Sequence, residues 1–142
     1  MKTMTFAVDG DIMIVLHTAN PPSELEWASW LAALRNTPKQ RLKMLIFTDG
    51  GVPNTLQRGT FLDVLGDAQP PIAVVSNVPA VRGVVTAISW FNKNVKLFTP
   101  AKLADAFAHL GANAERGRAL FSTAQRATAQ LGTVLSAFKV GQ

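Results

Sequence analysis

The side chains able to do chemistry in this chain are few. It has two histidines, His17 and His109, and no cysteine, so thiol nucleophiles, thiolate metal sites and disulfide frameworks are excluded. Two histidines without cysteine support do not make a zinc site. No G-x-S-x-G elbow presents a serine to a histidine. His109 suits the carboxyl end of a helix, where a cation meets the dipole, and His17 closes an apolar strand as a boundary residue.

The stretch Leu45 to Thr55, LIFTDGGVPNT, invites comparison with a phosphate cradle. A P-loop needs a glycine-rich loop ending in Gly-Lys-Ser/Thr, whose amides and lysine wrap the phosphates. This stretch has two glycines, a proline that supplies no amide, and no lysine, so that reading is rejected. Asp49 lies at the carboxyl end of an apolar run, the edge of an α/β sheet where ligands sit. Arg82 falls near the start of its predicted helix, where a positive charge is disfavoured. If the strands are parallel, both reach one rim, and Arg82 is placed to pair with Asp49 or with an anion between them. Asn54 followed by Gln57 reads as a helix cap. Trp27, Trp30 and Trp90 all fall on predicted helices, whereas base-stacking aromatics belong on a sheet face.

These residues need a scaffold. The 142 residues fit one domain, long enough to bury roughly two thirds of the surface its unfolded form exposes. A hydrophobic share of 48% with 16% charged residues describes a packed core rather than a disordered tail. The start of the chain lacks the basic-then-apolar pattern of a secretory signal, and Asn77, Pro79 and Arg82 interrupt the richest apolar stretch, Ile72 to Phe91. Neither a signal peptide nor a membrane span is expected, and a cytoplasmic location is. The net charge is +5, with six Lys/Arg against seven Asp/Glu in residues 1–71 and eight against two in residues 72–142. A basic half attracts anionic partners, but its charges are scattered without a run. That favours a solvated surface and argues against nucleic acid.

Hydrophobic periodicity supplies the elements. Met4 to Val8 alternates as a half-buried edge strand, Asp9-Gly10 signals a hairpin, and Ile12 to Leu16 is apolar on both faces. Ser23 with Glu26 reads as a capping box opening a helix that buries Trp27, Trp30, Leu31 and Leu34, stopped at Asn36-Thr37-Pro38. Lys43 to Thr48 is a third strand, Leu56 to Leu65 a helix of irregular apolar spacing, and Ile72 to Val75 a fourth strand. Val81, Val84, Val85 and Ile88 form a helical stripe, Val95 to Phe98 an edge strand, and Leu103, Ala106, Phe107 and Leu110 a last stripe ended by Gly111. The order β-β-α-β-α-β-α-β-α predicts an α/β fold with a mixed, mostly parallel sheet of about five strands, since each helical crossover returns the chain to the same end.

Residues 113–140 stand apart. Leu120, Ala124, Ala127, Leu131, Val134 and Phe138 recur at spacings of four and three, a heptad seam. Gly117 and Gly132 weaken such a helix by about 1 kcal/mol each, so it needs a surface to pack on, either its own sheet or a second copy in a homodimer.

With this order in hand, the chain resembles the STAS superfamily, the fold of anti-sigma-factor antagonists, and most closely its divergent STAS-like (SpoIIAA-like) bacterial branch. PIAVVSNVPAVRGVVTAISWF and NVKLFTPAKLADAFAHLG carry the likeness. It covers roughly residues 4–111 in layout, which divides the chain into a STAS-like domain, 1–111, and a C-terminal helical extension, 112–142. The resemblance implies a non-enzymatic regulatory or protein-interaction module with no cofactor. It also implies control by phosphorylation at the start of the helix after the third strand. There Asn54-Thr55 takes the place of the family's Asp-Ser pair, which makes Thr55 the candidate hydroxyl. The departures are Asn for Asp, Thr for Ser, and a shorter loop. The alternative from another class is a protein binding an apolar ligand or an anionic lipid surface. The expected site is thus a rim of Asp49, Asn54, Thr55 and Arg82, with no catalytic or metal-ligating residue.

Overall fold

A computed structural model describes residues 2–139; the first residue of the predicted domain and the last three of the predicted extension lie outside them. Its strands are β1 (Met4–Asp9), β2 (Ile12–His17), β3 (Lys43–Thr48), β4 (Ile72–Val75) and β5 (Val95–Phe98). They form one sheet in the order β1-β2-β3-β4-β5. β1 and β2 are antiparallel, and each later pair is parallel. The α/β class and the mixed, mostly parallel sheet are as expected from the sequence. The hairpin turn is Gly10-Asp11, because Asp9 still pairs with Ile12. Gly10 takes φ +62°, a conformation glycine reaches without a Cβ penalty.

The helices are α1 (Glu24–Arg35), α2 (Thr55–Leu65), α3 (Pro79–Ser89), α4 (Leu103–His109) and α5 (Ala114–Thr128). Each of the three β-α-β crossovers advances by one strand in the same direction. Crossovers of one hand then put α1, α2 and α3 on a single face. The core on that face joins Met13, Val15, Met44, Ile72 and Val74 of the sheet to Trp27, Trp30, Phe61, Val81 and Val85 of the helices. The opposite face, with Ile14, Leu16, Leu45, Phe47 and Val75, is covered by α4 and α5.

The predicted long terminal helix is corrected. α5 stops at Thr128, followed by tight three-residue turns at Ala129–Leu131 and Ser136–Phe138, with Gly132 left-handed between them at φ +74°. The break lets Phe138 fold back onto Phe47 and Phe121, with ring centroids 4.8 and 5.0 Å apart. Leu120, Ala124, Ala127, Leu131 and Phe138 are all buried in this chain's own core, and of the seam only Val134 is exposed. The extension packs on its own domain, so those five side chains are unavailable to a second copy while it stays docked. Gly117 is explained as well: a Cβ there would run into the Phe107 ring.

The cap of α1 departs from the expected box. Ser23 accepts from the Glu26 amide, but its own amide donates to Thr3 Oγ1 at 2.9 Å. The Glu26 carboxylate turns to β1 and accepts from Thr3 N, Thr3 Oγ1 and Ser23 Oγ at 2.6–3.0 Å. The first turn of α1 is thereby tied to the sheet edge.

Candidate functional site

Among the described residues no hydrogen bond or ion pair joins the predicted rim residues Asp49, Asn54, Thr55 and Arg82 to one another. Successive strand residues point to opposite faces, so Thr48 lies on the α1–α3 side and Asp49 on the other. Asp49 accepts from the Ser136 amide at 3.1 and 3.2 Å and so anchors the C-terminal turn. Arg82 is exposed on α3, and among the described residues it pairs with no carboxylate. The expected Arg82–Asp49 pair is absent, because the carboxylate is committed across the sheet. Asn54 caps α2 in a complete capping box: its side chain accepts from Gln57 N at 2.8 Å, and its amide donates to Gln57 Oε1 at 2.9 Å. Thr55 is the exposed first residue of that helix, its Oγ1 accepting from Arg58 Nη2 at 3.2 Å.

The two glycines of LIFTDGGVPNT have distinct duties. Gly50 adopts φ +127°, open only to a residue without Cβ. Gly51 is buried, donates to Thr18 O at 2.8 Å, and leaves no room for a Cβ against the carbonyl oxygens of Asn20 and Thr18. The turn is thus a joint that presses the β3–α2 loop onto the β2–α1 loop, with Thr48 Oγ1 donating to Gly51 O at 2.6 Å.

That joint closes one end of a feature the periodicity did not reveal. α2 leans on α1: Trp30 and Phe61 stack at 5.6 Å, Trp27 Nε1 donates to Thr60 Oγ1 at 3.0 Å, and Gln57 Nε2 donates to Pro22 O and Glu24 Oε1. α3 packs toward β5. Between α2 and α3 a small cleft of about 60 Å³ lies over the sheet. Its floor is Val15, Ile46 and Val74, and its walls are Trp27, Trp30 and Phe61 on one side and Val81, Val84, Val85 and Ile88 on the other. Consequently Ile46, on the central strand, is only partly buried, as are Val84 and Ile88 of the predicted stripe. A stripe broader than its helix can bury, opposite a helix of irregular apolar spacing, was the signal present in the sequence.

His17 lies at the head of this cleft, 5% exposed, and its Nδ1 has no hydrogen-bond partner. Burial pushes its pKa down to about 4, against the opposing field of Glu26, so the imidazole is neutral at pH 7. Burial alone would raise Glu26. The hydrogen bonds from Thr3, Ser23 and the Thr3 and Met4 amides outweigh it and hold that carboxyl at about 2. His109 is elsewhere, its Nε2 2.6 Å from Asn94 O. No group of three or more His, Cys, Asp or Glu among the described residues could hold a metal ion. No helix among them is long and apolar enough to cross a membrane.

The arrangement offers shape and apolar contact. Comparison with known proteins adds nothing to that geometry: no family model, curated protein or solved structure matches the chain.

Proposed function

We propose that this protein is a non-enzymatic binding module of the STAS-like type, and that the cleft between α2 and α3 receives an apolar group. The observation that carries the reading is the incompletely buried Ile46 at the centre of the sheet, with Val84 and Ile88 beside it. Apolar surface left open over a central strand forgoes about 25 cal/mol for every Å² not removed from water, and an apolar guest recovers that term. The element order supports the STAS-like layout. A cytoplasmic location belongs to the same proposal.

Xenon tests the cleft without presuming a ligand, since it occupies dry apolar cavities. Under xenon pressure the methyl resonances of Ile46, Val84 and Ile88 shift while those of Ile14 and Leu45 stay put, and Val84→Phe suppresses the response. Uniform shifts over both faces, or none, would discard the cleft.

One observation favours a regulatory reading of the rim. Thr55 is exposed at the first turn of α2 with the Arg58 guanidinium on its hydroxyl. A phosphate there would meet a cation and the positive end of the helix dipole. Phosphorylated Thr55 is expected to raise the melting temperature of the full chain, and a lowered one would count against this role.

A further inference from the structure

β1 forms one edge of the sheet, since it pairs with β2 alone. Its ladder fixes which backbone groups remain free. Thr18 N donates to Thr3 O, and Asp9 faces Ile12 across the hairpin turn. In such an antiparallel ladder the odd residues of β1 turn their N–H and C=O groups to β2, and the even residues turn theirs outward. The Glu26 carboxylate lies 3.5 Å from the outward amide of Met4. Among the described residues no hydrogen bond from outside the hairpin reaches the backbone groups of Phe6 and Val8. The usual protections of an edge are missing there. Met4 to Val8 holds no proline and no charge, and the register runs unbroken from Met4 to Asp9, without a bulge. The opposite edge, β5, has only four residues and carries the exposed Lys96. Burial of β1 falls away toward the hairpin, with Phe6 partly buried and Val8 60% exposed.

We infer that β1 pairs antiparallel with β1 of a second copy of this chain, joining two sheets into one across a two-fold axis. The inference does not depend on the cleft. A two-fold contact must be self-complementary, and this strand is. With Phe6 opposite the partner's Val8, their outward amides and carbonyls exchange hydrogen bonds, and Ala7 meets the partner's Ala7 at the axis. A register centred on Phe6 would instead need the Met4 amide that Glu26 faces. Phe6 and the partner's Val8 then cover one another on the face that carries α1, to which Met4 and Phe6 belong. Aromatic and β-branched side chains so placed stabilise a strand pair. Charge selects the direction. The strand begins at Lys2 and ends in the turn Asp9-Gly10-Asp11. Antiparallel pairing brings each lysine to the acidic turn of the other copy. Asp11 is open to it, 43% exposed and reached by Arg116 and Lys43 only at 3.6 and 3.8 Å. A parallel pairing, or one slid toward the hairpins, would set Asp9 beside the partner's Asp9.

The chain contains no cysteine, so single cysteine substitutions report the register. Ala7 and the partner's Ala7 form a non-hydrogen-bonded pair with Cα atoms about 4.5 Å apart, inside the range a disulfide spans. Val8 and the partner's Val8 are offset by two residues, roughly 7 Å along the strands, and fall outside that range. Under oxidised glutathione, Ala7→Cys of the full chain is expected to form a disulfide-linked dimer faster than Val8→Cys, although Val8 is the more exposed side chain. Sedimentation should show a concentration-dependent dimer of the unaltered chain, which Val8→Lys weakens about tenfold. Crosslinking of Val8→Cys as fast as that of Ala7→Cys would overturn the pairing. So would a chain that stays monomeric at millimolar concentration, or a dimer that Val8→Lys leaves intact. If Val8→Lys does not fold, the two cysteine variants decide alone. Xenon shifts of the cleft methyls are read separately, so this inference and the cleft can fail independently.

Discussion

The two faces of the sheet differ in how completely they are covered, although β3 contributes to both. Leu45 and Phe47, on the α4–α5 face, are 0% and 1% exposed, whereas their neighbour Ile46 on the α1–α3 face is only partly buried. The sealed face is closed by segments without a crossover to make. α5 and the turns after it settle wherever small residues allow: Gly117 admits Phe107, Ala124 and Ala127 lie flush, and Phe138 closes over Phe47. The open face is covered by three helices, each tethered to two adjacent strands. Two of them lean outward, α2 on α1 and α3 toward β5. Crossover helices are placed by their connections first and by packing second, and the gap between them is what remains.

This contrast is most sharply broken by truncation on each side. Leu120→Ala, at a fully buried position of the sealed face, is expected to cost about 3 kcal/mol, as deletions in close-packed cores do. Ile88→Ala, on the wall of the open cleft, is expected to cost no more than about 1 kcal/mol, because little new cavity is made. Urea unfolding measures both, and equal losses would mean that the cleft is closed in solution.

Titration sharpens the comparison next, since His17 belongs to the open face. Its folded-state pKa of about 4 lies below the ordinary 6.5, so between these values the unfolded chain takes up a proton that the folded one refuses. Stability contributed by the neutral imidazole is therefore complete above pH 6.5 and declines as pH falls toward 4. The loss amounts to about 3 kcal/mol at most. Glu26, held at about 2, continues the decline below its ordinary range, because the unfolded carboxylate protonates first. Unfolding free energies from pH 7 to 4 should flatten in His17→Leu, and an unchanged slope would place the proton uptake elsewhere.

The smallest expected effect concerns the rim. Asn54→Ala removes the cap of α2 and should cost about 1 kcal/mol, with Gln57 losing its return bond. A loss several times larger would show that the cap also holds the cleft wall in place.

Much of the framework was legible from the residues alone. Alternation in Met4 to Val8, the unbroken apolar runs of the inner strands, the Ser23 and Asn54 caps and the stops at Asn36-Thr37-Pro38 and Gly111 are short-range signals, readable wherever local preference and burial agree. The candidate site was less legible. Asp49 and Arg82 are a helix and a strand apart, and which face Asp49 serves depends on a C-terminal turn eighty-seven residues away in sequence. The cleft was hidden for a related reason, since periodicity reports which side of a helix is apolar but not what stands opposite it.

By itself, then, the sequence determined the element order, the parallel pairing that crossovers impose, and the strands buried on both faces. These follow from chain connectivity and from apolar periods of two and 3.6 residues. Tertiary structure alone decided that the terminal segment seals one face, that Gly51 serves a loop-to-loop contact, and that His17 stands unpaired at the head of an open cleft. Each of these depends on which groups distant along the chain come within van der Waals or hydrogen-bond reach, and no local pattern encodes that.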